Sequence, residues 1–95
     1  MSKIKEKEIY YGRELFKAIK LYLPSVYSIA ERRQKNGLIR FKVMRSYGKK
    51  YVGIDPFIEI GADAPLKASD LKELCDGAVL KIEEQITQLD NETLS

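Results

Sequence analysis

Histidine and tryptophan are absent from this chain of 95 residues, and cysteine occurs once. Without histidine there is no side chain whose ordinary pKa suits proton transfer near neutral pH. The commonest metal ligand and every Ser-His or Cys-His nucleophile are missing too. The single Cys75 forms no internal disulfide, which agrees with a reducing compartment. Its place between Leu74 and Asp76, at an apolar helical position, marks a core residue, because burial raises a thiol pKa and a reactive thiol needs it lowered. Asp55 and Glu59 lack a third ligand at a recognisable spacing, and Gly48, Gly53 and Gly61 stand alone, so neither a metal site nor a phosphate-cradling loop is read here. The expectation is a protein that is not an enzyme and carries no cofactor.

Long apolar runs are lacking as well. Nothing approaches the ~18–20 residues needed to span a bilayer, and residues 1–6 hold no apolar stretch of the secretory kind. A cytoplasmic protein without membrane contact is expected. An apolar fraction of 44% with 33% charged residues suits a folded domain, and the length allows one core.

Acidic residues are missing from one long stretch. Between Arg32 and Lys50 there is none, against eight cations: Arg32, Arg33, Lys35, Arg40, Lys42, Arg45, Lys49 and Lys50. The formal net charge of +3 therefore hides an asymmetry, with residues 1–50 at +10 and residues 51–95 at −7. Such a distribution bears on partners and association rates.

Periodicity places this run on a fold. Residues 1–8 alternate Lys with Glu and read as a flexible charged arm, residues 9–90 as one α+β domain, and residues 91–95 as a frayed tail. Tyr11, Leu15, Ala18, Ile19 and Tyr22 share one face of a helix over residues 12–23, stopped by Pro24. Residues 26–32 favour a strand, followed by a turn at Lys35-Asn36-Gly37. In residues 38–45, Ile39, Phe41 and Val43 alternate with Arg40, Lys42 and Met44, giving one apolar and one largely basic face. A turn at residues 47–50 leads into a strand over residues 51–55. Pro56 interrupts it, and residues 57–60 read as a bent or edge segment. Ser69 is the expected N-cap of a last helix with Asp70 in its first turn. Its stripe is Leu71, Leu74, Cys75, Ala78, Val79, Ile82, Ile86 and Leu89, and Gly77 would mark close packing against the sheet. The fold class is then an N-terminal helix, an antiparallel sheet of three to four strands, and a long C-terminal amphipathic helix.

On such a sheet Arg40 and Lys42 project opposite Ile39, Phe41 and Val43, with turn cations at both strand ends. Tyr51 and Phe57 have outward parity. Cations interleaved with exposed rings suit single-stranded nucleic acid, since the cations neutralise phosphates and the rings stack on unpaired bases at ~1–3 kcal/mol each. The expected interface comprises Arg40, Lys42, Lys49 and Lys50, with Arg32, Arg33, Lys35 and Arg45 supplementary and Tyr51 and Phe57 for stacking. The alternative is a protein-interaction module, whether inhibitor, adaptor or antitoxin-like partner, whose basic patch docks an acidic protein surface. A homodimer is expected in either case, with the last helix buried between subunits. The basic sheet is usable only if the first helix packs on the other face.

Two resemblances follow from the placed elements. The order helix, three strands, helix is similar to the double-stranded RNA-binding domain. That family opens its second helix with a lysine cluster, and the partly acidic Lys67-Ala68-Ser69-Asp70-Leu71-Lys72-Glu73 departs from it. Residues 47–55 and 66–74 also resemble the coactivator type of single-stranded DNA-binding fold, in which curved strands precede one long helix that dimerises. That likeness implies single-stranded DNA binding and a dimer, and it covers less than half the chain.

Overall fold

The computed structural model describes residues 7–94, so most of the expected N-terminal arm lies outside the described residues. The architecture is α+β. In chain order it comprises β1 (Ile9–Tyr11), a 3-10 turn (Gly12–Glu14), α1 (Leu15–Tyr22), β2 (Tyr27–Arg33), β3 (Leu38–Tyr47), β4 (Lys50–Gly61), β5 (Pro65–Lys67) and α2 (Ala68–Leu94). β2, β3 and β4 form one antiparallel sheet in that order, and β1 pairs with β5 in a separate two-stranded sheet.

The two hairpin turns follow local chemistry. Gly37 adopts φ +90° after Asn36, whose side-chain oxygen accepts from the Leu38 N–H at 3.1 Å, and this closes the β2–β3 connection. Gly48 adopts φ +62° at the first of the two loop positions between the paired Tyr47 and Lys50, where a tight hairpin needs positive φ. Pro56 does not end its strand. The register shifts opposite Lys42, so that Phe41 pairs with Ile58 and Val43 with Ile54, and the intervening residues of β4 loop out as a bulge around a cis Asp55–Pro56 peptide. The proline thus sits where no ladder hydrogen bond is required of it.

The β1–β5 sheet is a departure from the sequence expectation. Gly12 N–H donates to the Ala64 carbonyl and Arg13 N–H to the Ala62 carbonyl, both at 3.0 Å, which ties the start of the domain to the loop after β4. Gly12 is required there, since a Cβ at that position would collide with the Gly61 carbonyl. The same clamp moves the start of α2. The Ala68 N–H is satisfied by the Glu8 carbonyl at 2.8 Å, so the helix begins at Ala68 and Ser69 lies inside its first turn instead of capping it. At its other end α2 continues to Leu94, beyond residue 90.

One buried cluster joins all the main elements: Leu15, Ala18 and Ile19 of α1; Ile39, Phe41 and Val43 of β3; Val52 and Ile58 of β4; and Leu71, Cys75, Ala78, Ile82 and Ile86 of α2. The stripe read from α2 is largely this buried set, with Leu74 the exposed exception. Gly77 is not at a close approach, for a Cβ there meets nothing within 4 Å. Both helices therefore pack on the Ile39/Phe41/Val43 face of the sheet.

Candidate nucleic-acid interface

The other face of the sheet is left open. Strand alternation puts Ser28, Ala30 and Arg32 of β2, Arg40, Lys42, Met44 and Ser46 of β3, and Tyr51, Gly53, Asp55 and Glu59 of β4 on that side. Most are exposed, Arg40, Met44 being half-buried, and Tyr51 is the most exposed large apolar side chain described, at 71%. The requirement that the first helix pack elsewhere is met.

The cations of the acid-free run do not all share this face. Arg32 and Arg40 are direct cross-strand partners, and Lys42 lies two residues further along β3, opposite Ala30. Together with Ala30, Glu31 and Asp55 these three line a shallow recess of about 180 Å³. Lys35 sits in the β2–β3 turn and Lys49 in the β3–β4 turn, one at each end of β3. Lys50, in register with Tyr47, has the parity of the helix side. Arg33 also falls on that side of the pleat, in register with Ile39, and pairs with Glu31 at 3.2 Å.

Arg45 is drawn away altogether. Following Ile39, Phe41 and Val43 on the inner face, it forms an ion pair with Glu83 of α2 and lies over the Tyr27 ring, 5.9 Å from its centroid. Tyr27 donates its hydroxyl to the same Glu83 carboxylate at 2.7 Å. Burial, then the hydrogen bond to Glu83, pushes the Tyr27 hydroxyl pKa up. The Tyr27 hydroxyl and then Arg45 hold the Glu83 carboxyl below its ordinary range against the opposing effect of burial. Arg45 is thereby a fastener between sheet and helix. Phe57, in the bulge of β4, also departs from the outward parity: it is half-buried, packs against the core and borders a groove with Leu74, Gly77 and Ala78. Tyr51 alone of the two aromatic rings stands on the open face.

Acidic groups on the same face were not foreseen as part of the interface. Asp55 accepts from Arg40 Nε at 3.2 Å, and Glu59 accepts from Gln34 Nε2 at 2.5 Å. The signal for Asp55 was in its odd-numbered position along β4, shared with Tyr51 and Gly53. Among the described residues, Arg32, Lys35, Lys42, Lys49 and Lys50 carry no ion pair. Unpaired cations with solvent on one side can neutralise phosphates without first breaking a protein contact.

Among the described residues no helix is long and apolar enough to cross a membrane. Comparison with known proteins gives no match to a family model, a curated protein or a solved structure, so neither fold resemblance carries over as a family.

Proposed function

We propose that the protein binds single-stranded nucleic acid across the open face of its three-stranded sheet. The observation that carries this reading is that both helices pack on one face, leaving Arg32, Arg40, Lys42 and Tyr51 uncovered on the other. From Arg40 to Ser46, the partner of Tyr51, the site runs six residues along β3, or ~20 Å. At the ~3.4 Å rise of a stacked strand this accommodates about six nucleotides. Flat sheets with cations and a stacking ring select unpaired bases, because a duplex hides the faces that would stack.

The test is fluorescence anisotropy with labelled single-stranded and duplex oligonucleotides. With Arg32, Arg40, Lys42 and Lys49 contacting phosphates, log K is expected to fall with log salt at a slope near −2.8, from ~0.7 per neutralised phosphate. Tyr51→Ala is expected to weaken binding by ~1–3 kcal/mol while Tyr11→Ala does not. Tyr11 is the fitting control because it is exposed, whereas Tyr10 is buried.

The presence of Asp55 and Glu59 among the cations of the face favours one second reading, a protein partner whose largely acidic surface also carries cations opposite these two carboxylates. Absence of oligonucleotide binding below ~100 μM at low salt would shift the reading there. Much of the α2 stripe expected at a homodimer seam, Leu74 excepted, is buried within one chain, which favours a monomer in either case. Light scattering at micromolar concentration is expected to give a mass near 10.9 kDa.

A further inference from the structure

The geometry points to a discrete phosphate subsite formed by Arg32, Arg40 and Lys42, which fixes the register of a bound strand; this rests on the nucleic-acid reading above and names the contact that anchors it. The first observation is the pairing. Arg32 and Arg40 stand directly opposite on adjacent strands, where like charges repel. Asp55, paired with Arg40, and Glu59, the register partner of Arg40 on β4, offset that repulsion only on the Arg40 side, and an anion seated between the two arginines offsets the rest. The second is the shared recess of about 180 Å³, in which Lys42 joins them.

The two carboxylates at the recess do not cancel it. Glu31 is engaged by Arg33 at 3.2 Å. Asp55 takes only Nε of Arg40, which leaves the two terminal nitrogens of the guanidinium for a ligand and orients the plane of the fork. Arg40 thus offers paired donors of the kind that bind two oxygens of one phosphate, and Arg32 and Lys42 supply the neutralising charge on either side. Lys49 and Lys50, at the far end of the hairpin, lie outside this recess, where Lys49 meets a phosphate further along the strand.

The probe is inorganic pyrophosphate, titrated at constant ionic strength set with chloride and read by amide chemical shifts. The companion measurement is anisotropy of a labelled single-stranded decamer. Pyrophosphate is expected to shift the amides around Arg32, Arg40 and Lys42. Arg40→Lys, which keeps the charge and loses the fork, is expected to lower the affinity for pyrophosphate and for the decamer by ~10-fold. Arg32→Gln and Lys42→Gln should act similarly, and Lys81→Gln, on the helix side, should change neither by more than ~2-fold. Decamer binding that Arg40→Lys leaves intact would overturn the subsite and spare the nucleic-acid reading. Pyrophosphate bound at the triad without decamer binding would support the subsite and overturn that reading. Binding of neither would overturn both.

Discussion

A methyl group added at Gly77 meets open space, whereas one added at Gly12 meets the Gly61 carbonyl. The two glycines therefore answer the same substitution with opposite signs. Gly77→Ala, inside α2, is expected to raise stability by ~0.5–1 kcal/mol through lower unfolded-state entropy and better helix propensity. In a domain of this size that corresponds to ~4–8 °C in Tm per kcal/mol, readable by calorimetry. Gly12→Ala is expected to lower stability by more than ~1 kcal/mol, as the clamp between β1 and the loop after β4 must open. Cys75 belongs to the same scale. Burial, and then the nearby Asp76, pushes its thiol up to about 11 from 9.0. A group raised in the folded state contributes stability that is intact below its unfolded value and lost as pH rises through the folded one, here between 9.0 and about 11. Tyr27 and Tyr47 are raised too and add to this alkaline limb, so thiol reactivity isolates the cysteine better than stability does. An aromatic disulfide reagent at pH ~8 is expected to label Cys75 only at the rate of unfolding, and fast labelling of the native protein would contradict its buried state.

Between elements, the junction of Tyr27, Arg45 and Glu83 ties β2 and β3 to α2. Its Glu83 carboxyl is lowered from the ordinary 4.5, so its contribution is present above that value and is lost as pH falls through the lower folded value. Glu83→Gln is expected to reduce stability at pH ~7 and to make the acid limb of the stability curve shallower, the two proteins converging at low pH. Denaturation midpoints across this range decide it, and parallel curves would remove Glu83 from the acid response. This junction also shows what sequence can and cannot disclose. The alternation that sends Arg40 and Lys42 outward sends Arg45 inward, so its placement was legible in the strand pattern and hidden only by counting charges along the run. The outward parity assigned to Phe57 failed for a different reason. The bulge around Pro56 lets β4 continue while re-aiming the residues within it, and no local pattern announces the size of a bulge. The pairing of β1 with β5 was illegible because it joins two three-residue strands far apart in the sequence, each too short for an alternation to show. The helices and the β2–β3–β4 hairpins were legible because their signals are local: the 3.6-residue stripe, the alternation, and Gly37 and Gly48 in the turns.

At the scale of the molecule, charge is sorted by layer. The protein is flat, 47 × 40 × 20 Å, with the basic sheet face on one side and α2 on the other. α2 carries seven acidic and two basic residues. A nucleic acid approaching the sheet therefore has a negative layer behind its site. Whether it feels that layer depends on screening across the 20 Å dimension. The Debye length is ~8 Å at 0.15 M salt and ~30 Å at 0.01 M, so the helix layer is hidden in the first case and felt in the second. Glu84, exposed on α2, gives the test. Glu84→Lys is expected to strengthen binding of a single-stranded decamer at ~0.01 M salt and to leave it unchanged at ~0.15 M. Lys42→Glu, on the open face, is expected to weaken binding at both concentrations, since its effect is one of contact. Anisotropy titrations of the two variants at the two salts separate the layers. If Glu84→Lys strengthens binding as much at the higher salt as at the lower, the strand is touching the helix side, and the sheet face is not where it lies.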